Sequence, residues 1–480
     1  MNDIDYLLDT LDATALSLLV RQGEVTPIEL LDAAIQRLDR VNPQLNAISE
    51  RCYDVARQMA QRPEARQGVL AGVPTLIKDL FSPVQGARMT QGSRVMGEAR
   101  ADLDCEVVAR LRRAGCVFAG TTTSPEFGTS YTTESTRFGA TRNPWNTERS
   151  AGGSSGGAAA LVAARAIPFA HGNDGGGSLR VPASCCGVFG LKPTRGRLPS
   201  GPLVGEGWAG MGTPHAITLS VRDSALLLDA TAGADLGAPY AAPAQAMPFV
   251  QAVSADPAPL RIAVIEQLGP WPTSPEALKA VRHTAWLCEQ LGHHVELATL
   301  PVNLPGLLDH LFNIIGPSTR NFLDMVGQLR GQPVADEELD PRTRIILRER
   351  GDIPAARYAA AVESIHALGR QLAYFLIDHD LILTPTLTRE PPLIGDLDAF
   401  DPSLSLAEVI EAFHSYSPFT ALFNASGQPA MSVPLYWTEN GLPLGSHFAA
   451  RFGEEHTLLA LGAQLERAQP WANRKPLVCA

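Results

Sequence analysis

The sequence predicts one large α/β domain, an interpretation that rests on two features of the 480-residue chain. Short apolar runs typical of buried strands alternate with segments of helical periodicity, which is the pattern of α/β proteins. Glycine-rich motifs are scattered from residue 72 to residue 445, so no boundary separates one group of motifs from another, although length alone favours two or three domains. With 45% hydrophobic residues, a chain of this length can bury a large core.

The amino-terminal part is predicted to begin with helices. Thr26-Pro27-Ile28-Glu29 is a capping box with proline at the first helical position, and it predicts a helix that ends near Arg40. Residues 1–66 are therefore expected to form an N-terminal helical region. The pattern then predicts helices at 50–62 and 102–114, strands at 69–77 and 116–121, and a long loop at 124–150.

The carboxy-terminal half alternates in the same way. An Ala/Pro-rich segment at 237–258 is interpreted as a surface connection, and no internal repeat is present. The pattern predicts helices at 221–232 and 454–468, a mostly helical segment at 303–378, and strands at 261–266, 381–384 and 431–435.

Composition excludes several classes of function. A net charge of −11 without a Lys/Arg cluster argues against nucleic-acid binding, and no apolar run approaches the 18 residues of a membrane span. The acidic start, MNDIDYLLDT, indicates no signal peptide. Seven cysteines without a C-x-x-C pair, including adjacent Cys185 and Cys186, indicate reduced thiols and a cytoplasmic protein. The eleven histidines contain no HExxH, and His293-His294 is predicted to lie in a turn, so no metal site is expected.

The most informative segment runs from Gly152 to Pro182, GGSSGGAAALVAARAIPFAHGNDGGGSLRVP. It places two serine sites, Ser154-Ser155 and Ser178, among glycines whose backbone N–H groups could face an oxyanion. A hydroxyl beside such donors indicates acyl transfer, which also requires a base. No histidine stands at a diagnostic spacing. Lys78, in the apolar run GVPTLIKDLF, is the natural candidate, since an amine in an apolar setting loses its proton more easily; only four of the 39 basic residues are lysines.

Other interpretations of the glycine clusters fit less well. Residues 152–156 match G-x-S-x-G formally, but that elbow follows an apolar strand, whereas residues 142–149 have the composition of a loop. No G-K-[ST] follows to make a phosphate loop, and no dinucleotide-binding fingerprint is present. A glycine loop that serves only tight packing would explain one cluster, but not two clusters together with Lys78.

These segments resemble the amidase signature family. The likeness runs without a gap from GGSSGG at 152 to DGGGSLRVPA, ending at 183, and extends upstream to GVPTLIKD and FGATRNPW. Downstream it includes CGVFGLKPTRGR, ASGQPA and GLPLG, so it covers roughly residues 10–470, with a signature core at 72–200. The resemblance implies a central mixed β-sheet with helices on both faces, and it implies that the variable segment 303–378 covers the active site.

The resemblance also implies a Ser–Ser–Lys triad that needs no cofactor. Ser178 would be the nucleophile, Ser154 a proton relay held by a cis peptide, and Lys78 the base. Backbone N–H groups of Gly175, Gly176, Gly177 and Ser178 would form the oxyanion hole. Ser155, Asp174 and Arg180 would support the site, the last two as a pair that orients the loop.

Three positions depart from the family pattern or bear on the substrate. Asn173 stands where Ser or Thr is usual, and Gly175 replaces a larger residue, which is expected to loosen that corner. Val181 stands where relatives acting on carboxylates can have arginine, so we expect a neutral or apolar substrate. Substrate contacts are expected from Phe127, Thr129, Ser130, Tyr131 and Val181, with weaker candidates at Phe312, Asn313, Tyr416 and Phe419.

The expected activity is hydrolysis of a small-molecule amide or carbamate by a monomer or homodimer. The segments GATRNPWN, HGND and GLKPTRGRLPSGPLV resemble most the branch of cyclic-oligoamide hydrolases, aryl acylamidases and urethanases. Three alternatives stay open at this stage. These are an amidotransferase subunit that releases ammonia from glutamine, an esterase that uses His447 or His456 as base, and an inactive binding protein.

Overall fold

A computed structural model describes residues 3–397 and 400–480 of the chain. Its helices are α1 (Asp3–Thr10), α2 (Ala13–Gln22), α3 (Pro27–Leu45), α4 (Tyr53–Ala60), α5 (Glu106–Arg113), α6 (Gly156–Ala163), α7 (Arg180–Cys186), α8 (Val221–Thr231), α9 (Phe249–Ala252), α10 (Pro275–Gln290), α11 (Leu304–Arg330), α12 (Pro341–Arg350), α13 (Ala355–Asp378), α14 (Leu406–Tyr416), α15 (Ala421–Ala425) and α16 (Glu455–Ala468). Its strands are β1 (Ile48–Arg51), β2 (Pro74–Lys78), β3 (Val117–Thr122), β4 (Glu134–Ser135), β5 (Gly139–Ala140), β6 (Arg142–Asn143), β7 (Asn146–Ser150), β8 (Phe169–Asp174), β9 (Phe189–Lys192), β10 (Thr213–Thr218), β11 (Arg261–Val264), β12 (His294–Leu297), β13 (Leu381–Pro385), β14 (Ala430–Trp437) and β15 (Pro443–Ala450).

A mixed eight-stranded sheet in the order β12-β11-β13-β15-β14-β9-β10-β8 forms the centre of the molecule. β11 pairs in parallel with β12 and β13, and the other neighbours are antiparallel. A smaller sheet has the order β1-β3-β2. Its edge strand β2 lies beside the edge strand β8, where the Thr75 hydroxyl donates to the carbonyl of Phe169 at 2.9 Å. The end of β2 is thereby placed next to the end of β8.

Helices cover both faces of the large sheet, as two consecutive residues of β15 show. A Cβ at Gly445 would lie 3.0 Å from Cβ of Ser184 in α7, whose hydroxyl accepts the Gly445 N–H at 2.8 Å on that face. The hydroxyl of Ser446 lies 2.7 Å from that of Thr284 in α10. Neighbouring strand residues point to opposite faces, so α7 and α10 pack on opposite sides. The predicted α/β fold with a mixed central sheet is confirmed.

Several predicted boundaries are wrong in instructive ways. The helix from the capping box at Thr26 continues through Pro43 to Leu45, where Asn46 ends it with φ 51°. Strand β1 occupies the start of the helix predicted at 50–62, and residues 124–150 contain four short strands, β4 to β7, where a loop was expected. His294 begins β12 and does not lie in a turn. For β1, β4 to β7 and β12, pairing with a neighbouring strand decides the conformation of a short segment that has little preference of its own.

All seven cysteines are unpaired, and Cys185 and Cys186 are both buried. Within residues 3–397 and 400–480, no helix combines the length and apolar character needed to cross a bilayer. The same residues contain no group of three or more His, Cys, Asp or Glu side chains that could hold a metal ion.

Candidate active site

Lys78 is the last residue of β2, and its side chain is fully buried. Its Nζ lies 2.7 Å from Ser154 Oγ and 2.7 Å from Oδ1 of Asn173. Burial lowers the pKa of Lys78 well below its usual value, although the negative charge of Asp174 opposes this change. A neutral amine has one lone pair, so it can accept a proton from Ser154 while one of its N–H groups donates to Asn173.

The first glycine cluster precedes α6 and carries Ser154. The peptide bond between Gly153 and Ser154 is cis, as the family resemblance implied. Thr133 holds this segment, since its hydroxyl donates to the carbonyl of Gly152 at 2.8 Å and accepts the N–H of Gly156 at 3.0 Å. The preceding strand β7 belongs to a polar hairpin with β6, so the apolar strand of a G-x-S-x-G elbow is lacking here.

Ser178 lies in the turn between β8 and α7, is 5% exposed, and lines a cavity that opens to solvent. The two glycine clusters are in direct contact, because the N–H of Ser155 donates to the carbonyl of Ser178 at 3.2 Å. Ser155 also donates from its hydroxyl to the carbonyl of Asn173 at 3.2 Å. The structure therefore brings Lys78, Ser154 and Ser178 into one site, with the first two buried and the third facing the cavity.

Asp174 and Arg180 form a buried bidentate ion pair, with distances of 2.9 and 3.0 Å and both side chains 0% exposed. Burial alone would raise the pKa of Asp174, but the charge and hydrogen bonds of Arg180 hold it below its usual value. Asn424 completes the network, since its amide donates to the Asp174 carboxylate at 2.9 Å and its Oδ1 accepts from Arg180 at 2.7 Å. A surface salt bridge is thereby excluded for this pair.

The Asp174 carboxylate also organises the predicted oxyanion loop. It accepts the N–H of Gly177 at 2.7 Å and that of Leu179 at 3.0 Å. The amide of Gly177, expected to face an oxyanion, is therefore already engaged, which leaves those of Gly175, Gly176 and Ser178. Gly177 has φ 141°, and a Cβ there would lie 2.4 Å from Thr420 Oγ1, so only glycine fits.

Tyr131 and Thr420 hold the same loop from its other side. The Tyr131 hydroxyl donates to the carbonyl of Gly176 at 3.0 Å, and the Thr420 hydroxyl donates to it at 2.7 Å. Fixing this carbonyl fixes the plane of the following peptide, so the loop is organised before any substrate is bound.

The two departures from the family pattern have specific structural consequences. Asn173 contacts the proposed base directly and is anchored by its own amide, which donates to the carbonyl of Leu80 at 2.7 Å. A Cβ at Gly175 would lie 2.7 Å from Cζ3 of Trp208, so the indole ring occupies the space of a larger residue. The expected looseness at Gly175 is therefore offset by the packing of Trp208.

Only some of the predicted substrate contacts line the cavity. Thr129, Ser130, Tyr131 and Phe312 do, together with Gly128, Gly175, Gly176, Ser178, Trp208, Met211, Leu311, Ile315, Phe413, His414 and Ala421. Leu311, Phe312 and Ile315 of α11, which lies within 303–378, thus form part of the wall.

The other candidates lie outside this lining. Phe127 packs on Phe322, with ring centroids 5.6 Å apart, and Val181 is buried beside Gly177, whose carbonyl accepts its N–H at 2.7 Å. Val181 therefore gives no indication of the charge of the substrate. The three remaining candidates are buried elsewhere in the fold: Asn313, Tyr416 and Phe419.

The histidines proposed for an esterase do not serve the serines. His447 is fully buried, with its ring nitrogens 2.9 Å from Arg180 Nη1 and 3.0 Å from Thr384 Oγ1. Burial, followed by the positive charge of Arg180, lowers its pKa well below the usual value. His456 stacks on Phe249 and lies 2.8 Å from the carbonyl of Met247.

Several residues of the site were not predicted from the sequence, among them Asn424, Trp208 and His414. These three are distant from the glycine clusters along the chain, and no local motif marks them. The sequence ASGQPA directly follows Asn424 and was part of the family likeness, so that segment was the one available signal for it.

The fold and this site define a hydrolase of C–N bonds in which a lysine contacts a serine, and among the described residues no histidine hydrogen-bonds to Ser154 or Ser178. The sequence profile of the family named Amidase matches residues 29–459, and the chain belongs to that family. It is 39% identical to the 6-aminohexanoate-cyclic-dimer hydrolase of Pseudomonas sp. (strain NK87), over 97% of this chain and 96% of that protein. It is 35% identical to the putative amidase AmiC of Mycobacterium bovis, over 98% and 97%.

Solved structures agree with this assignment. The structure of a 6-aminohexanoate cyclic dimer hydrolase superposes with a TM-score of 0.92 at 36% identity over the whole of both chains. A bacterial aryl acylamidase of the amidase signature family superposes with a TM-score of 0.89 at 29% identity, over 97% of each chain. The esterase and amidotransferase alternatives are not favoured by these relatives.

Proposed function

We propose that the chain hydrolyses a neutral small-molecule amide through an acyl-enzyme on Ser178. The observation that carries this proposal is the buried contact of 2.7 Å between Lys78 and Ser154, next to a serine that faces a cavity. A serine hydroxyl is a weak nucleophile unless a base takes its proton. Burial lowers the pKa of Lys78 and so favours the neutral amine that can act as this base.

The proposed reaction moves one proton along the three side chains. Ser178 attacks the substrate carbonyl while its proton passes through Ser154 to Lys78. The charge that develops on the carbonyl oxygen faces the free N–H groups of the loop, where one such donor is typically worth about 100–1000-fold in rate. Lys78 returns the proton to the leaving nitrogen, which is a poor leaving group as an anion. Water then hydrolyses the acyl-enzyme along the same proton path.

The cavity supports an apolar acyl or amine group in the substrate. Met211, Leu311, Phe312 and Ile315 contribute apolar walls, and the lining contains no charged side chain among the described residues. Linear amides, anilides, cyclic oligoamides and carbamates all fit this chemistry, and the relatives named above point to the second and third of these classes. Since one chain supplies the whole site, a monomer or homodimer suffices.

Covalent labelling and amide hydrolysis together test this function. A fluorophosphonate probe should label the wild-type protein and the control variant His456→Ala, but not Ser178→Ala. Lys78→Ala should lower kcat/KM for a hexanoyl anilide by about 10³-fold or more, as for removal of other catalytic bases. Labelling that persists in Ser178→Ala, or hydrolysis that depends on a histidine, would overturn the assignment.

A further inference from the structure

His414 is the lining residue whose chemistry the proposed reaction does not use. It lies in the last turn of α14 and is 5% exposed; its Nδ1 is buried without a side-chain partner in the part of the chain that the structure describes, and the backbone of Ser417 hydrogen-bonds to the ring. An imidazole has two polar nitrogens, and one hydrogen bond to the Ser417 backbone leaves the second without a partner among the described residues, which is costly in a buried site. Its place in a substrate cavity suggests that a ligand uses this ring.

The other hydroxyl groups of the lining are already engaged. Tyr131 donates to Gly176, and the hydroxyls of Ser130 and Thr132 lie 3.1 Å apart. The Thr129 hydroxyl donates to the carbonyl of Glu126 at 3.2 Å and accepts from Nε of Arg342 at 3.4 Å. Among the described lining residues with a hydroxyl or an imidazole, Ser178 and His414 are left to meet a substrate.

The ring of His414 is held in place by two aromatic neighbours. Tyr131 packs edge-on at 5.5 Å between ring centroids and an interplanar angle of 89°, and Phe312 at 6.5 Å and 88°. Because Tyr131 also holds the carbonyl of Gly176, the imidazole has a fixed position relative to the oxyanion loop. A substrate group that hydrogen-bonds to His414 would therefore lie at a fixed distance from the carbonyl that reacts.

The charge state of the imidazole limits what it can bind. Burial lowers the pKa of His414 to about 4, so the ring is neutral near pH 7. A neutral imidazole offers one donor and one acceptor, which suits an amide or a carbamate. It offers no positive charge to a carboxylate.

We propose that His414 is a specificity-determining residue that pairs with a second, neutral amide or carbamate group of the substrate, distinct from the one that is cleaved. This inference rests on the proposed function and narrows its substrate class. The preferred substrates then carry two polar groups joined by an apolar segment. The aromatic and aliphatic walls contact the segment, and His414 binds the distal group.

Two anilides that differ by one group test the proposal. The 4-nitroanilide of hexanoic acid lacks a distal polar group, whereas that of 6-acetamidohexanoic acid carries an amide. The wild-type protein should prefer the second substrate by about tenfold or more in kcat/KM, the order expected for a hydrogen bond in a site built to receive it. In His414→Phe this ratio should fall to about one, mainly through KM, and His414→Gln should keep part of it.

Controls separate this inference from a structural effect and from the proposed function. The exposed His366 provides a matched control, and His366→Phe should keep the wild-type ratio. A His414→Phe variant that labels with fluorophosphonate but keeps the wild-type ratio would overturn the inference, as would an equal loss on both anilides. A wild-type protein that cleaves both anilides equally would also overturn it and leave the amidase function intact. Failure to cleave any amide would instead contradict the proposed function.

Discussion

Replacement of Asn173 by aspartate is expected to move the pH dependence of the enzyme. The Asn173 Oδ1 atom lies 2.7 Å from Lys78 Nζ, so Asn173→Asp places a carboxylate in contact with the proposed base. With an effective dielectric constant of about 20, the attraction between a carboxylate and the protonated amine at this distance is about 6 kcal/mol. Burying the new carboxylate opposes that gain, and opposite charges this close typically shift a pKa by about 1–3 units.

The direction of the change follows from which form of Lys78 is active. A nearby negative charge favours the protonated amine and therefore raises the pKa of Lys78. The reaction needs the neutral amine, so each unit of rise lowers the active fraction about tenfold at any pH below the pKa. The other ionisable groups near this amine are Asp174, which already raises its pKa, and the buried His171.

The assay is kcat/KM for an anilide measured from pH 5 to pH 10. In Asn173→Asp the acid limb should move to higher pH by about 1–3 pH units, with activity recovering above it. Asn173→Thr is the matched control, because it restores a residue type usual in the family and adds no charge. A limb that stays at its wild-type position in a folded, active Asn173→Asp variant would refute the reasoning that Lys78 acts as a neutral base.

Two further predictions concern the cavity wall and the stability of the fold. Gly175→Ala should lower kcat/KM about tenfold or more, because the new Cβ would lie 2.7 Å from the Trp208 ring. Adding Trp208→Leu to that variant should restore part of the loss. If the effects of the two substitutions on kcat/KM are additive in a double-mutant cycle, the contact is contradicted. Burial, with the charge of Asp340, raises the pKa of Glu126 to about 7, above its ordinary 4.5, so the folded chain keeps a proton that the unfolded chain releases. The free energy of unfolding should therefore fall as pH rises from about 4.5 to 7. Between pH 5 and pH 8, the Tm of Glu126→Gln should drop less than that of the wild-type protein. Equal drops in the two proteins would be evidence against a raised pKa at Glu126.

The residues of the proposed catalytic centre could be singled out from the sequence because local patterns mark them. The two glycine clusters lie within one segment of about thirty residues, and Lys78 is conspicuous as one of few lysines in an apolar run. The family resemblance then supplied a role for each residue. The spatial relation of Lys78 to Ser154 is what the structure adds to this interpretation.

The contacts around the proposed centre could not be predicted from the sequence, because they depend on pairing between distant parts of the chain. Asn173 meets Lys78 only because β2 lies beside β8, which places residues 95 positions apart in contact. In the same way, the effect of glycine at position 175 depends on its contact with Trp208, and the position of the His414 ring depends on its contacts with Tyr131 and Phe312. No local pattern specifies such contacts, so sequence reasoning treated Asn173 and Gly175 as minor departures and missed His414.

Three wall residues of the cavity, Leu311, Phe312 and Ile315, lie on one face of α11, at the i, i+1 and i+4 spacing of a single helical turn. The reacting groups come from other elements, β2 and the segments before α6 and α7. Substitutions on that turn can therefore reshape the space a substrate occupies without touching the proton path. This part of the substrate wall and the proposed proton path therefore lie on separate elements, and α11 can vary in sequence while Lys78, Ser154 and Ser178 stay in place.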